Sequence, residues 1–354
     1  MTKAIEVRQA TAADAPAWDA YLAGRPEATP YHRHAWLEAV EASYGHASRG
    51  LMALRNGRVV GILPAVHMRR PLGGGRLCCL PYCDLGHAVG DDDRVIRALL
   101  DHLEAVRRET GAGFIEYRDT ATPEETRTMA ADDLAGSKVR MLLPLPDSSE
   151  TLMSGFKSKL RSQIRKAEKN GLSWRIGNDP RAIGDFHHIL SRNMHRLGSP
   201  VHGRAWFEQL AQRYADDLIL SVVDLDGQPV AAGLVLMSGD RACIPWASTL
   251  SEYNRLAPNM LLYWSLLARV IDAGKREFDF GRSTCGEGTY RFKQQWGAKP
   301  VALKWSRLAG GETLQENAAT PPGSARRLVE GMWRRLPLAL TNRIGSRIRK
   351  HISL

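Results

Sequence analysis

The sequence predicts an α+β protein of two successive domains, and three observations carry that prediction. The chain has 354 residues, more than one ordinary compact unit holds, so two domains are expected. A series of helices, β-hairpin, strand, helix and strand runs along it twice. Both hairpins are marked by a glycine dipeptide between apolar runs, Asn56-Gly57 and Asp226-Gly227, where both positions tolerate positive φ. Hairpins mixed with a single buried helix call for a mixed, mainly antiparallel sheet flanked by helices, rather than a doubly wound parallel one.

The elements follow in order. IEVRQAT opens as a strand, and APAWDAYLAG and HAWLEAVEASYG read as helices. HASRGLMALRNGRVVGILPAVHMRR contains the first hairpin. LCCLPYCDLGHAV reads as a buried strand leading into a loop. Cys79 and Cys83 have no second pair at zinc-site spacing, so no metal is expected there. RVIRALLDHLEAVRRETG is an amphipathic helix ended by Gly111, and GFIEYRD returns as a strand. These place a first domain at residues 1–147. The second, 148–310, begins with a helix over SGFKSKLRSQIRKAEKNG. Two further helices, DFHHILSRNMHRLG and GRAWFEQLAQRYAD, precede the hairpin LILSVVDLDGQPVAAGLVLMSG. CIPWAST is a strand, PNMLLYWSLLARVIDAG a helix that starts at a proline, and EFDFGRS and KPVALKWSRL are strands. Residues 311–323, polar and containing Pro321-Pro322, read as a linker. Residues 324–354 form a tail.

Composition narrows the class. With 44% hydrophobic and 25% charged residues the chain is that of a globular protein. Five cysteines, an odd number, argue against a disulfide framework and for a reducing cytoplasm. The start, MTKAIEVRQATAADAPAWDAY, lacks the apolar core of a secretory signal, and no run approaches the ~18 apolar residues of a membrane span. The net charge of +11 is concentrated at the end. The tail carries Arg326, Arg327, Arg334, Arg335, Arg343, Arg347, Arg349 and Lys350 against the single Glu330. It divides at Pro337 into two short helices. In the second, Leu340, Ile344, Ile348 and Ile352 make one ridge beside Arg343, Arg347 and Lys350, which reads as a basic amphipathic element suited to an anionic membrane surface.

Four groups of residues have chemical potential. Lys157, Arg161, Arg165 and Lys169 recur every fourth position. Like charges at that spacing cost a helix ~0.2–0.5 kcal/mol per pair, so a row relieved only by Glu168 points to an anion. His195, Arg196, His202 and Arg204 surround a Gly-Ser-Pro-Val turn, an arrangement suited to carboxylate or phosphate. Pro258 and Asn259 open a helix, whose free N–H groups attract anions; Asn259 is a cap or a ligand contact. The fourth group is FDFGRSTCGEGTYRFKQQWG, residues 278–297. Gly281 and Gly286 have phosphate-loop spacing, but Glu287-Gly288 stands where Lys-Ser/Thr should follow, which excludes a nucleoside-triphosphate loop. Cys285 lacks the neighbouring histidine that would activate a thiol. What remains is a strand ending in a glycine-rich loop that delivers Arg291 and Lys293 beside aromatic residues.

The segments FDFGRSTCGEGTYRFKQQWGAKPVALKW, MHRLGSPVH, KSKLRSQIRKAEKNGL, PNMLLYW and LPYCDLGHAVG together resemble the FemAB-related proteins. The likeness is greatest to the subgroup associated with exosortase and PEP-CTERM exopolysaccharide clusters, and it covers roughly residues 5–308. It implies two tandem GNAT-like (acyl-CoA N-acyltransferase) domains and acyl transfer to an amine with no covalent enzyme intermediate. The implied donor is acyl-CoA or aminoacyl-tRNA, with no tightly bound cofactor. The implied acceptor is a cell-envelope or exopolysaccharide precursor. By the same resemblance Lys293 and Arg291 are catalytic, with Lys293 stabilising the oxyanion of the transition state. Arg282 would hold a phosphate or carboxylate, and Tyr290 and Trp296 would stack on a base or shape the channel. His195, Arg196, His202 and Arg204 fall in the region that grips acceptor phosphates. Ser283, Asn259, Trp246, Tyr82 and Asp84 are further substrate contacts, and the 157–169 row faces the donor. A non-catalytic scaffold on a degenerate form of this fold is the alternative. The expected location is cytoplasmic, with peripheral attachment to the inner face of the plasma membrane through the tail.

Overall fold

Asn56 and Gly57 take φ values of 55° and 73°, and Asp226 and Gly227 take 51° and 77°, so both dipeptides turn hairpins as expected. The first joins Leu51–Arg55 to Arg58–Leu63 and the second Leu218–Leu225 to Gln228–Ser238. The computed structural model describes residues 4–70, 74–315 and 324–354, without side chains for 324–327. Among these, residues 4–139, 301–315 and 351–354 gather in a first unit, and 140–300 and 324–350 in a second.

The first unit holds two groups of strands. Glu6–Gln9, Leu51–Arg55, Arg58–Leu63 and Val89–Gly90 form one antiparallel sheet in that order. The helix Asp93–Thr110 covers it, burying Val95, Leu99, Leu103 and Val106 at heptad-like spacing. Asp92 caps its start and Gly111, at φ 65°, ends it. The second group runs Ala47–Ser48, Val66–Arg69, Gly75–Cys78, Ile115–Thr120 and Lys299–Ala309. That last strand was expected in the second domain. Its residues 303–308 instead pair antiparallel with Ile115–Thr120. The alternation in KPVALKWSRL marks a strand, but not which sheet receives it. The expected linker starts as a strand, Glu312–Gln315, folded back on Lys299–Ala309. Its residues 316–323 lie outside the described residues.

In the second unit the strands are ordered Leu172–Gly177, Leu218–Leu225, Gln228–Ser238, Arg241–Thr249, Glu277–Thr284 and the 140–144 part of Lys138–Pro144. The first four pair antiparallel, and Arg241–Thr249 pairs parallel with Glu277–Thr284. The parallel pair needs a crossover, supplied by the helix Pro258–Asp272. That helix and Pro180–Leu197 both pack on Gln228–Ser238. The single helix expected over SGFKSKLRSQIRKAEKNG is two, Ser149–Gly155 and Ser158–Lys169. Phe156 between them is extended (ψ 147°) and buries its ring against Trp264 and Trp296. Burial of one aromatic side chain, worth about 2 kcal/mol or more, overrides helix continuity here.

The tail forms helices Ser324–Trp333 and Leu338–Arg349 on either side of Pro337, the division the sequence predicted. It packs on the second unit through small residues. Thr341 and Gly345 are buried, and a Cβ at Gly345 would lie 3.3 Å from the Val201 amide. Leu340 and Ile348 of the expected ridge are the more exposed, at 41% and 40%.

Candidate active site

Pro245 lies inside the strand Arg241–Thr249 and cannot donate to a ladder, so it sits at an irregularity, as proline in a strand must. The register with Gln228–Ser238 shifts here, between Leu234 and Leu236. The parallel pairing with Glu277–Thr284 also stops just before it, with Cys243 opposite Asp279 as the last pair. Beyond that point the two strands part. Gly281, at φ 72°, bends the departing strand. The carboxylate of Asp279 fixes the bend, accepting from the Gly281 amide at 2.8 Å and pairing with Arg140 at 2.9 Å.

Buried backbone carbonyls need donors, and beyond the parting those of Gly281 and Arg282 take them from a side chain. Lys293 supplies them. The residues expected as a glycine-rich loop form a helix, Gly288–Gln294. From it the Lys293 ammonium, 8% exposed, donates to the carbonyls of Gly281 at 2.9 Å and Arg282 at 2.7 Å. Nearby Ser283 is buried, and its hydroxyl has no hydrogen-bond partner among the described residues.

A cleft of about 250 Å³ lies at this end of the unit, lined among others by Asn193, Arg196, Ser248, Asn259, Tyr263 and Phe292. Asn193 and Arg196, one helical turn apart on Pro180–Leu197, are tied to each other (2.8 Å), and Asn193 donates to Ser248 (3.2 Å). A neighbouring hollow of about 350 Å³ shares Asn193, Arg196 and Thr249 and extends to the ion pair Arg192–Glu252 (2.8 Å). Tyr263 stacks on Phe280 at 5.5 Å and meets Phe292 edge-on at 5.0 Å. No hydrogen bond engages its hydroxyl among the described residues. Burial pushes this phenol up to about 12, so at neutral pH it is a proton-bearing donor. Tyr263 was not singled out from sequence, although it stands four residues after Asn259 and so on the same helix face.

The other expected residues fall into distinct places. Asn259 and Arg196 line the cleft. His195 donates from Nε2 to the Leu336 carbonyl at 2.8 Å, which ties the tail to this helix. His202 and Arg204 depart from expectation. His202 is 2% exposed and stacks on Trp206 at 5.5 Å. Burial, then Arg349 and His187, hold its imidazole well below 6.5, so it is neutral and no phosphate grip. Arg204 is engaged by Glu208 at 2.8 Å and the Pro180 carbonyl. Trp246 joins the same aromatic cluster, 5.2 Å from Phe207. Trp296 is 1% exposed and edge-on to Phe156; it is a wall, with no face left for a base. Tyr290 lies beside Cys285, and burial followed by that thiol raises its phenol above the ordinary value. Arg291 is exposed and donates from Nε to the Gly286 carbonyl. Tyr82 and Asp84 belong to the first unit.

Of the cationic row, Lys157 is the cap residue before the helix Ser158–Lys169 and not within it. Arg161 turns back to the carbonyls of Ser154 and Phe156. Arg165 and Lys169 are exposed on the face opposite buried Leu160, Ile164 and Ala167. With Arg161 they line a groove of about 430 Å³, and Arg161 and Arg165 share a second, of about 510 Å³, with Trp264. Among the described residues, no group of His, Cys, Asp and Glu is arranged to hold a metal ion.

Neutral, buried His202 makes stability depend on pH. Its folded-state pKa is depressed, so its contribution is complete above the unfolded value near 6.5 and is lost as pH falls toward the folded value. Below pH 6 the chain is expected to lose up to about 1.4 kcal/mol per pH unit through this residue, and His202→Phe flattens that limb in urea titrations.

Residues 154–294, which include this cleft, match the family described as acetyltransferase (GNAT) domain. The second unit is therefore similar in sequence to acyl-transferring enzymes of that class, and the fold of the whole is the tandem GNAT type. A solved structure of FemX superposes with a TM-score of 0.67 at 14% identity, covering 86% of this chain and 98% of that one. A tandem GNAT protein from the clavulanic acid biosynthesis pathway gives 0.54 at 14% identity over 90% and 100% of the two chains. L-PGS from Bacillus licheniformis gives 0.50 at 13% over 85% and 97%. By sequence, no curated protein matches the chain.

Proposed function

We propose that the chain is a Fem-like acyl- or aminoacyltransferase that acylates an amine of a cell-envelope or exopolysaccharide precursor. The observation that carries this reading is the parting of the strands 241–249 and 277–284 beside a cleft with available donors. In the reaction the amine attacks the carbonyl carbon of a thioester or ester. A C–N bond forms, the C–S or C–O bond breaks, and the leaving sulfur or oxygen takes up the proton that the amine gives up. In this reading Asn259 and Tyr263, which line the cleft, donate to the oxygen that becomes negative. Lys293 shapes the parted strand and brings its charge close to it, and Arg282 and Arg291 add positive charge for phosphates or carboxylates of the donor. Arg161, Arg165 and Lys169 make the cationic approach for acyl-CoA or aminoacyl-tRNA, and Arg196 for the acceptor. The exosortase and PEP-CTERM setting belongs to this proposal and rests on the sequence resemblance alone.

The test is a thermal-shift and calorimetric screen with acetyl-CoA, charged tRNA and nucleotide-sugars. A true ligand at a hundred times its Kd stabilises by about 2.7 kcal/mol. A shift with one donor that is weakened by Tyr263→Phe and Asn259→Ala supports the reading. No shift with any donor overturns it. The scaffold alternative is favoured by the engagement of Lys293 with two carbonyls, and predicts ligand-free behaviour throughout.

The tail carries a second part of the proposal, attachment to an anionic membrane. Leu328, Val329 and Met332 are 67%, 59% and 59% exposed, in a tail rich in arginine. None of the described helices is long and apolar enough to cross a membrane, so contact would be at the surface. Replacing Leu328, Val329 and Met332 by serine is expected to lower binding to phosphatidylglycerol vesicles at least about tenfold, as losing several buried apolar groups should. Unchanged binding would sink the idea.

A further inference from the structure

A recess in the first unit holds a piece of the chain itself. The Tyr82 amide and the Arg118 guanidinium both donate to the carbonyl oxygen of Ser353, at 2.5 and 3.3 Å. The Ser353 hydroxyl donates to the Glu116 carboxylate at 2.8 Å. Two residues back, Arg76 donates to the His351 carbonyl at 3.2 Å, and the His351 ring lies 6.3 Å from that of His46.

The walls are fixed by bonds that do not involve this segment. Arg118, 1% exposed, donates to the carbonyls of Leu80 and Cys83 and pairs with Glu116. Glu116 is also paired with Arg76 at 2.9 Å. The indoles of Trp36 and Trp305 hold the carbonyls of Pro81 and Asp84, both at 3.0 Å. Leu80 and Tyr82 sit at φ 61° and 71°, a region unfavourable for residues with a Cβ. Such strain persists where surrounding bonds over-determine the backbone, and it gathers at ligand clamps. The recess thus presents two donors converging on one carbonyl, a carboxylate beside them for a hydroxyl, and a second guanidinium for the carbonyl two residues earlier. That is the hydrogen-bonding pattern of an extended peptide with a hydroxyl-bearing residue.

We propose that this recess is a peptide-binding site and that residues 351–354 are its intramolecular, displaceable occupant. The inference stands apart from the acyl-transfer reading, because it uses only residues of the first unit. An internal occupant competes at a high effective concentration, so a free peptide binds the intact chain weakly, in proportion to the fraction of time the recess is open.

The test uses the full chain and a fluorescent peptide, Arg-Lys-His-Ile-Ser-Leu, which reproduces residues 349–354. Ser353→Asp sets a carboxylate against Glu116 and ejects the segment. Fluorescence polarisation is expected to show the peptide binding this variant at least about tenfold tighter than the wild-type chain. Hydrogen exchange at the Tyr82 amide should rise in the variant and fall again when peptide is added. Ser353→Ala, which removes one hydrogen bond, should give the same ranking with a smaller gap. A folded Ser353→Asp variant that takes up no peptide overturns the proposal. So does melting of both variants below the assay temperature, since the segment would then be part of the core.

Discussion

Lys293→Met is expected to lower the stability of the second unit by about 2–6 kcal/mol, because the buried Gly281 carbonyl and the half-buried Arg282 carbonyl lose a donor and each unsatisfied group costs about 1–3 kcal/mol. At about 2–4 °C per kcal/mol for a unit of this size, the melting temperature should fall by roughly 4–24 °C. Under the acyl-transfer proposal the rate also falls, since the strand bearing Arg282 and Ser283 loses its support. The two effects separate in Lys293→Arg, which keeps the charge and a donor but not the fit. Partial recovery of melting temperature without recovery of rate would indicate a catalytic share beyond positioning. Wild-type melting in Lys293→Met would show that the ammonium does not hold the parted strand.

Arg118→Met is expected to cost the first unit about 3–5 kcal/mol, the penalty of breaking a buried pair and leaving its partner charged. The loss should depend on pH. In the wild-type chain burial alone would raise the Glu116 carboxyl, but Arg118 and then Arg76 draw it below 4.5. Its stabilising contribution is therefore present above the unfolded value and is lost as pH falls through the folded one. Without Arg118 burial gains weight and the carboxyl moves up, so the variant recovers stability on acidification while the wild type loses it. The gap between their melting temperatures should narrow from pH 7 to pH 4.5. A constant gap would mean that Glu116 does not feel Arg118.

Much of the fold was legible because its signals are local. Asn56-Gly57, Asp226-Gly227, Gly111 and Pro337 each act through the φ values that a residue permits, and each stands at the turn or helix end expected of it. The site was legible only in part. The segment 278–297 did contain the residue that supports the parted strand, but its helix Gly288–Gln294 was read as a loop, because glycines on both sides hid a helix of only about two turns. His202 and Trp296 have the chemistry of ligand contacts and are core residues. Tyr263, which the cleft does expose, was passed over within an apolar helix.

By itself the sequence determined the doubled α+β order, the hairpins, the cationic helix face and the basic tail, since these depend on spacing and backbone preference along a few residues. Only the tertiary structure decided that Lys299–Ala309 joins the first unit, that the strands part at Pro245, and that Lys293 holds the carbonyls of Gly281 and Arg282. It also decided which polar side chains are consumed internally, as Arg204 is by Glu208, and which face a cleft, as Asn259 and Arg196 do. Burial and hydrogen-bond partners come from segments far apart in the chain, so no local pattern encodes them.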